Sequence, residues 1–230
     1  MYYFANWRLL VDYFEFWLLN GASRFFIYAQ SITVEVERIL EFYKSAATVE
    51  IIDWSELPEI VGGRIDPNAQ LYRVEGVTAI NDCALRAQNE AEFVGFFDLD
   101  EFLLVNPLYP PLTSLLRLWT KDIARAGAFV FRGSLGYYNL RESSNHTQPK
   151  FVRMSEVNFE HLEAIHGEQH IHRFGVLSKL IAKPEHLYRT HAHDVVAFSK
   201  PLENTIITSI RELTRAVTRL FGRLKTFKSC

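Results

Sequence analysis

The sequence predicts an α/β fold, a mostly parallel sheet flanked by helices. Three short apolar runs rich in aromatic and β-branched residues, Phe25–Tyr28, Val49–Ile52 and Phe93–Phe97, recur along the chain. Stretches with helical periodicity separate them, and strand, helix, strand at such spacing describes parallel strands joined by right-handed crossovers. The third run ends abruptly in Asp98-Leu99-Asp100-Glu101, and open α/β sheets bind ligands at the carboxyl ends of their strands.

Each element has its own warrant. Trp7, Leu10, Val11, Phe14, Trp17 and Leu18 recur at helical spacing, and Gly21 after Asn20 is a stop signal. A first strand over Phe25–Tyr28 leads to a helix over Val34–Tyr43. A second strand ends in Asp53-Trp54. Two prolines and a Gly-Gly pair make Glu56–Pro67 a loop. A long helix over Ala69–Asn89 turns Leu71, Val74, Thr78 and Leu85 inward. The run Phe93–Phe97 reads as a strand buried on both faces. A helix over Ser114–Trp119 and a strand over Ala128–Phe131 follow. From Gly133 to Gly175 the chain is polar, irregular and rich in His. Val176–Ala182 and His186–His191 read as two late strands, and Glu203–Phe221 as a C-terminal helix.

With 230 residues and 48% hydrophobic content, the chain is long enough to bury a sizeable core. A net charge of -2 argues against a nucleic-acid binder, which needs a clustered basic surface. The locally basic stretch Arg211–Lys228 reads as a surface helix. Cys83 falls within a helix and Cys230 is terminal, so no bridge is expected. No run of about 18 apolar residues marks a membrane span, and Met1-Tyr2-Tyr3-Phe4 does not have the pattern of a signal peptide. Asn145-His146-Thr147 is an N-glycosylation triplet, which matters only along the secretory route.

Asp98 and Asp100 are the first candidates for chemistry. Residues i and i+2 of an extended segment share a face, so two carboxylates crowd together unless a cation separates them. Hard oxygen donors suit Mn2+ or Mg2+, which also bind phosphates. The competing reading is a strand end whose acids are solvated. Tyr28, Gln30 and Ser31 follow the first strand at the carboxyl edge, placed to meet a base or ribose, and Asp53 with Trp54 ends the second strand in the same way. Lys179 suits a diphosphate as a point charge or stands as an exposed strand lysine. His191 and His193 alternate on a strand end and face one side. His166 and His170 have i,i+4 spacing, but Gly167 weakens a helix there and no carboxylate partner is fixed nearby, so solvated loop histidines are expected over zinc ligands.

Several blocks resemble glycosyltransferase family 92, also called the DUF23 family. They are Asn6–Val11 with Glu15-Phe16, Phe25–Ser31, Gln70–Arg73, Asn81-Asp82-Cys83 with Arg86, Phe97–Phe102, and Ser178–Glu185 leading into His191-Ala192-His193. The resemblance covers most of Asn6–His193. It implies a Rossmann-like fold of the A type over residues 1–203, with a nucleotide-sugar half at about 6–106, an acceptor half at about 107–203 and a helical tail over 204–230. It implies metal-dependent transfer of a sugar, typically galactose from UDP-galactose, to a glycan hydroxyl. It also implies a Golgi membrane location through an anchor that is not recognisable in this chain, and a first strand upstream of what is present, so a truncated form is expected.

Within that resemblance Asp100 and Asp98 are metal ligands, and His193, or failing it His191, supplies the third. Glu101 is expected to point away and support the turn. Asn81 and Asp82, on the helix before the acidic strand end, turn polar groups toward the nucleotide sugar. A general base is needed to take the acceptor proton. The candidates are Glu142, Glu156, Glu160 and Glu163, with Glu156 the first choice. Two alternatives stand beside this reading: an inactive relative serving as a binding module, and a metal-dependent hydrolase.

Overall fold

A computed structural model describes residues 1, 4–46, 48–54, 74–105, 108–123, 125–138, 165–168, 170–199 and 203–207. The expected loop 56–67, the block 70–73, the sequon, the four glutamates Glu142, Glu156, Glu160 and Glu163 and the rest of the expected C-terminal helix and basic tail, 208–230, lie outside the described residues, as does His161.

The chain is a mixed α/β structure. Helix α1 (Trp7–Leu19) starts where Asn6 Oδ1 accepts the Leu9 N–H at 3.2 Å. It buries Leu10, Tyr13, Phe14 and Trp17, one face at helical spacing. It stops at Gly21, whose φ of +93° few side chains tolerate and whose missing Cβ would lie 2.7 Å from Thr113 Oγ1. Strand β1 (Phe25–Ala29) pairs in parallel with β2 (Val49–Asp53), connected by α2 (Val34–Ser45). Helix α3 (Val74–Ala87) precedes β3 (Val94–Phe96), and α4 (Leu112–Asp122) precedes β4 (Ala126–Phe131).

The later strands depart from the sequence expectation. Strands β5 (Gly136–Tyr138) and β6 (Ile165–Gly167) form an antiparallel pair within the stretch expected to be irregular. Strand β7 (Lys179–Ala182) inserts between β3 and β4, antiparallel to both. Strands β8 (Leu187–Thr190) and β9 (Val195–Phe198) pair antiparallel. Residues Glu203–Ile207 are a strand, β10, parallel to β4, and not the first turns of a helix. Asn204-Thr205-Ile206-Ile207 is β-branched-rich and finds an open neighbour in β4, which outweighs the helical pattern that follows it. The four-stranded sheet therefore runs β10-β4-β7-β3 and is mixed, not parallel throughout.

That position also corrects the reading of the acidic strand. The strands covered on both faces are β4 and β7, buried along their whole length. Phe129, Phe131 and Ile181 pack with α1, α2 and α4 on one face. Ala128, Val130, Leu180 and Ala182 pack with α3 and β8 on the other. Strand β3 lies at the sheet's edge, where Gly95 is exposed. On α3 the inward residues are Ala84 and Ala87, while Thr78 and Leu85, both expected inward, are exposed. Small side chains there let the helix lie close against β3.

A groove separates the two sheets. Phe25–Tyr28 line one wall, Phe93–Asp98 the other, and Tyr13 and Trp17 of α1 line it as well, around a cavity of about 500 Å³. Arg24, just before β1, pairs with Glu90, ahead of β3, which ties together the segments that lead into the two strands.

Candidate functional site

At the carboxyl ends of β1, β3 and β4 several of the predicted residues come together. Asp98 follows β3 and its side chain is 72% exposed. Its N–H donates to Glu101 Oε2 at 2.9 Å, and the Glu101 N–H donates back to the Asp98 carbonyl at 3.0 Å. This reciprocal pair folds Asp98–Glu101 into a tight turn, so Glu101 does brace it, but its carboxylate does not point away as expected: it turns inward onto the same lysine as Asp98. Asp100 sits exposed at its tip.

Lys179 opens β7 and is buried, contrary to the exposed strand lysine expected as one alternative. Its Nζ lies 2.8 Å from Asp98 Oδ2 and 2.9 Å from Glu101 Oε2. Burial alone would lower its pKa, but the hydrogen bonds to the two carboxylates win and raise it. The lysine is thus a fixed cation beneath the acidic turn.

His191 and His193 do not alternate on a strand. They lie in the turn between β8 and β9, because β8 ends at Thr190. The His191 N–H closes that turn on the Asp194 carbonyl at 2.9 Å. His193 Nδ1 is 2.6 Å from the Ser178 carbonyl, directly before Lys179. A carbonyl partner fixes Nδ1 as the donor and leaves Nε2 with a lone pair, the tautomer that metal-binding histidines adopt. Asn81 holds this arrangement in place. Its amide donates to the Thr190 carbonyl at 2.9 Å, and its Oδ1 accepts the Thr190 N–H at 3.0 Å. Thr190 is fully buried, and its hydroxyl reaches the carbonyls of His191 and Asp194. Asn81 therefore acts on the turn through backbone.

Tyr28 donates its hydroxyl to Asp82 Oδ2 at 2.7 Å, and its ring meets Trp54 edge-on at 5.1 Å. Arg86 reaches the same Asp82 oxygen at 2.7 Å and Glu50 at 3.1 Å. Partial burial pushes the Asp82 pKa up, but the Tyr28 and Arg86 bonds prevail and hold it below the usual carboxylate range. Gln30 and Ser31 present backbone N–H groups to the Met1 carbonyl. Asp53 is exposed at the end of β2.

The donor chemistry suits a hard divalent cation: exposed carboxylates at a strand end and an imidazole with its acceptor nitrogen set. The placement is looser, for no three His, Cys, Asp or Glu side chains are gathered for a metal ion among the described residues. The lysine ammonium is already shared between Asp98 and Glu101.

The histidine-rich stretch also differs from expectation. His166 sits on β6 opposite Tyr137, which removes any helical relation to His170. A fixed carboxylate is present after all: His172 Nε2 is 2.6 Å from Glu168 Oε1, and the His170 and His172 rings stack edge-on at 4.7 Å. Sequence reasoning passed over Glu168. The i,i+4 spacing of Glu168 and His172 was the available signal.

Residues 1–219 match the pattern described as Glycosyltransferase family 92. Glycosyltransferase family 92 protein F59C6.8 of Caenorhabditis elegans is 25% identical over 209 residues, which cover 88% of this chain and 36% of that protein. The chain spans about a third of the length of this relative. The match runs through every element that builds the site, from α1 to β10, and so the chain belongs to glycosyltransferase family 92.

Proposed function

We propose that this protein is a glycosyltransferase that moves a hexose, galactose from UDP-galactose in the first instance, to a glycan hydroxyl. The observation that carries the reading is the meeting of Asp98, Asp100, Lys179 and the His193 turn at one sheet edge, beside Tyr28 and Asp82. Departure of a nucleoside diphosphate is the hard step, and cationic groups placed at the leaving oxygens lower its barrier. Asp100 and His193, with Asp98, would hold Mn2+ or Mg2+, which would neutralise the diphosphate when bound. Lys179 holds its charge at the same place. From beneath the turn it would add positive potential where a phosphate would sit. Tyr28, Gln30, Ser31 and Asp53 border the side where uridine and ribose would lie.

The groove supports an A-type sheet. Phe25 and Ala29 turn their backbone toward β2, bonding Thr48 and Trp54. Tyr28 and Gln30 turn theirs the other way, where the Tyr28 carbonyl accepts from the Met1 amine and the Gln30 N–H donates to the Met1 carbonyl. The parallel bridge between Phe4 and Ile32 continues the same line, so chain laid along it runs parallel to β1. A Golgi membrane location follows from the family reading, although no described helix is long and apolar enough to cross a membrane.

A second reading, a binding module without turnover, draws on the lysine already seated between Asp98 and Glu101. Incubation with UDP-galactose, Mn2+ and mixed glycans separates the two. Transfer requires UDP release that stops on chelation. Nucleotide binding with no release supports the module, and free galactose without any glycan product points to hydrolysis.

A further inference from the structure

We propose that His172, oriented by Glu168, is the base that takes the proton from the acceptor hydroxyl; the inference rests on the transferase reading above. Glu168 is anchored by the Leu135 N–H at 2.8 Å and lies 2.6 Å from His172 Nε2. The Leu135 bond first, and His172 with it, hold the Glu168 pKa below its usual range, so the carboxylate is ionised and accepts the Nε2 proton. Nδ1 then carries the lone pair, and the His172 side chain is one-quarter exposed. A buried carboxylate or a bonded amide at this position would not leave an accessible basic nitrogen. Among the described residues, the charged and titratable groups around it are Glu168, His170 and Arg173 on its own segment and Arg132 at the end of β4.

The dyad is bolted to the sheet edge that carries the acids. The His172 N–H donates to the Gly133 carbonyl at 3.0 Å, and Arg132 donates to the His172 and Ile171 carbonyls at 2.6 and 3.0 Å. Arg132 directly follows β4, whose Phe131 pairs with Lys179 of β7, and β7 pairs with β3 on its other side. Two strand spacings, roughly 10 Å, separate the end of β4 from the end of β3. A phosphate held at the β3 end, the anomeric carbon and an acceptor hydroxyl hydrogen-bonded to the base would together bridge a span of that order. In the step, the acceptor oxygen bonds to the anomeric carbon as its proton passes to His172 Nδ1. The bond from that carbon to the phosphate oxygen breaks, and its electron pair leaves with the nucleoside diphosphate. Glu168 is a positioning residue, holding the tautomer.

The test follows UDP release and glycan product from UDP-galactose, Mn2+ and mixed glycans in the full chain, for wild type, His172→Gln and His172→Ala. Gln keeps a donor for Glu168 but cannot take a proton. The expected result is a fall in kcat of about 10²–10⁴-fold in both variants, with the KM for donor within a few-fold and the thermal midpoint of His172→Gln unchanged. Added imidazole should restore part of the rate in His172→Ala. Wild-type-like turnover in His172→Gln overturns the inference, as does unfolding of both variants, which would make the dyad a structural pin. A wild type that releases no UDP overturns the transferase reading itself, so the two failures are distinct.

Discussion

Replacing Lys179 by Met tests the electrostatic centre of the site. The side chain is 10% exposed, and its ammonium serves Glu101, 27% exposed, and Asp98, 72% exposed. The exposed partner contributes little, about 0–1 kcal/mol. The sheltered one is a charged hydrogen bond of about 1.5–3 kcal/mol. Methionine restores the apolar packing of the lysine stem, so the net loss is about 2 kcal/mol. For a chain of this size each kcal/mol moves the midpoint by roughly 2–4 °C, giving a fall of about 4–8 °C by circular dichroism. The pH dependence has a defined sign. Lys179 has a raised pKa in the fold, so its contribution is complete below the unfolded lysine value of about 10.4. It fades as pH rises through the higher folded value. The gap between wild type and Lys179→Met should therefore be flat from pH 7 to about 9 and narrow only in stronger alkali. Equal midpoints for the two proteins at pH 7 would refute this reasoning, as would a gap that widens with alkali.

Gly21→Ala places a methyl in the left-handed region against Thr113, and should destabilise by about 1–3 kcal/mol in urea titrations. Asp82→Asn removes a carboxylate with a depressed pKa. Its stabilising effect is present above the unfolded value of about 3.9 and lost as pH falls through the lower folded value, so the variant should fall behind wild type above pH 5 and the gap should narrow in stronger acid. Burial first, and Asp82 beside it, push the Cys83 thiol up to about 12. Maleimide at pH 7.5 should therefore leave Cys83 untouched in the folded protein and label it in urea, as peptide mass mapping would show.

The elements legible in the sequence are those written in local periodicity. Leu10, Tyr13, Phe14 and Trp17 declare α1 because one helical face must be apolar to meet β1, and the runs at β1, β2 and β4 declare strands. What escaped was non-local. Nothing near Lys179-Leu180-Ile181-Ala182 says that it slots between β3 and β4, since both partners arrive from far earlier in the chain. Lys179 looked like a surface lysine because the carboxylate that buries it stands 81 residues away. Glu203–Ile207 was read with the helical pattern behind it, although its strand partner is β4. In the site, Asp98 and Asp100 were visible as charges halting an apolar run. The His193 turn and the Glu168–His172 pair were not, because each depends on backbone anchors at Ser178, Thr190 and Leu135.

The central claim is that the acids after β3 bind a cation that in turn binds a diphosphate. Isothermal titration of UDP into the protein, with Mn2+ and then with chelator, tests it most directly. Saturable heat with Mn2+, abolished by chelator and by Asp100→Ala, is the predicted result. Equal UDP affinity in chelator, or undiminished binding in Asp100→Ala, would contradict it.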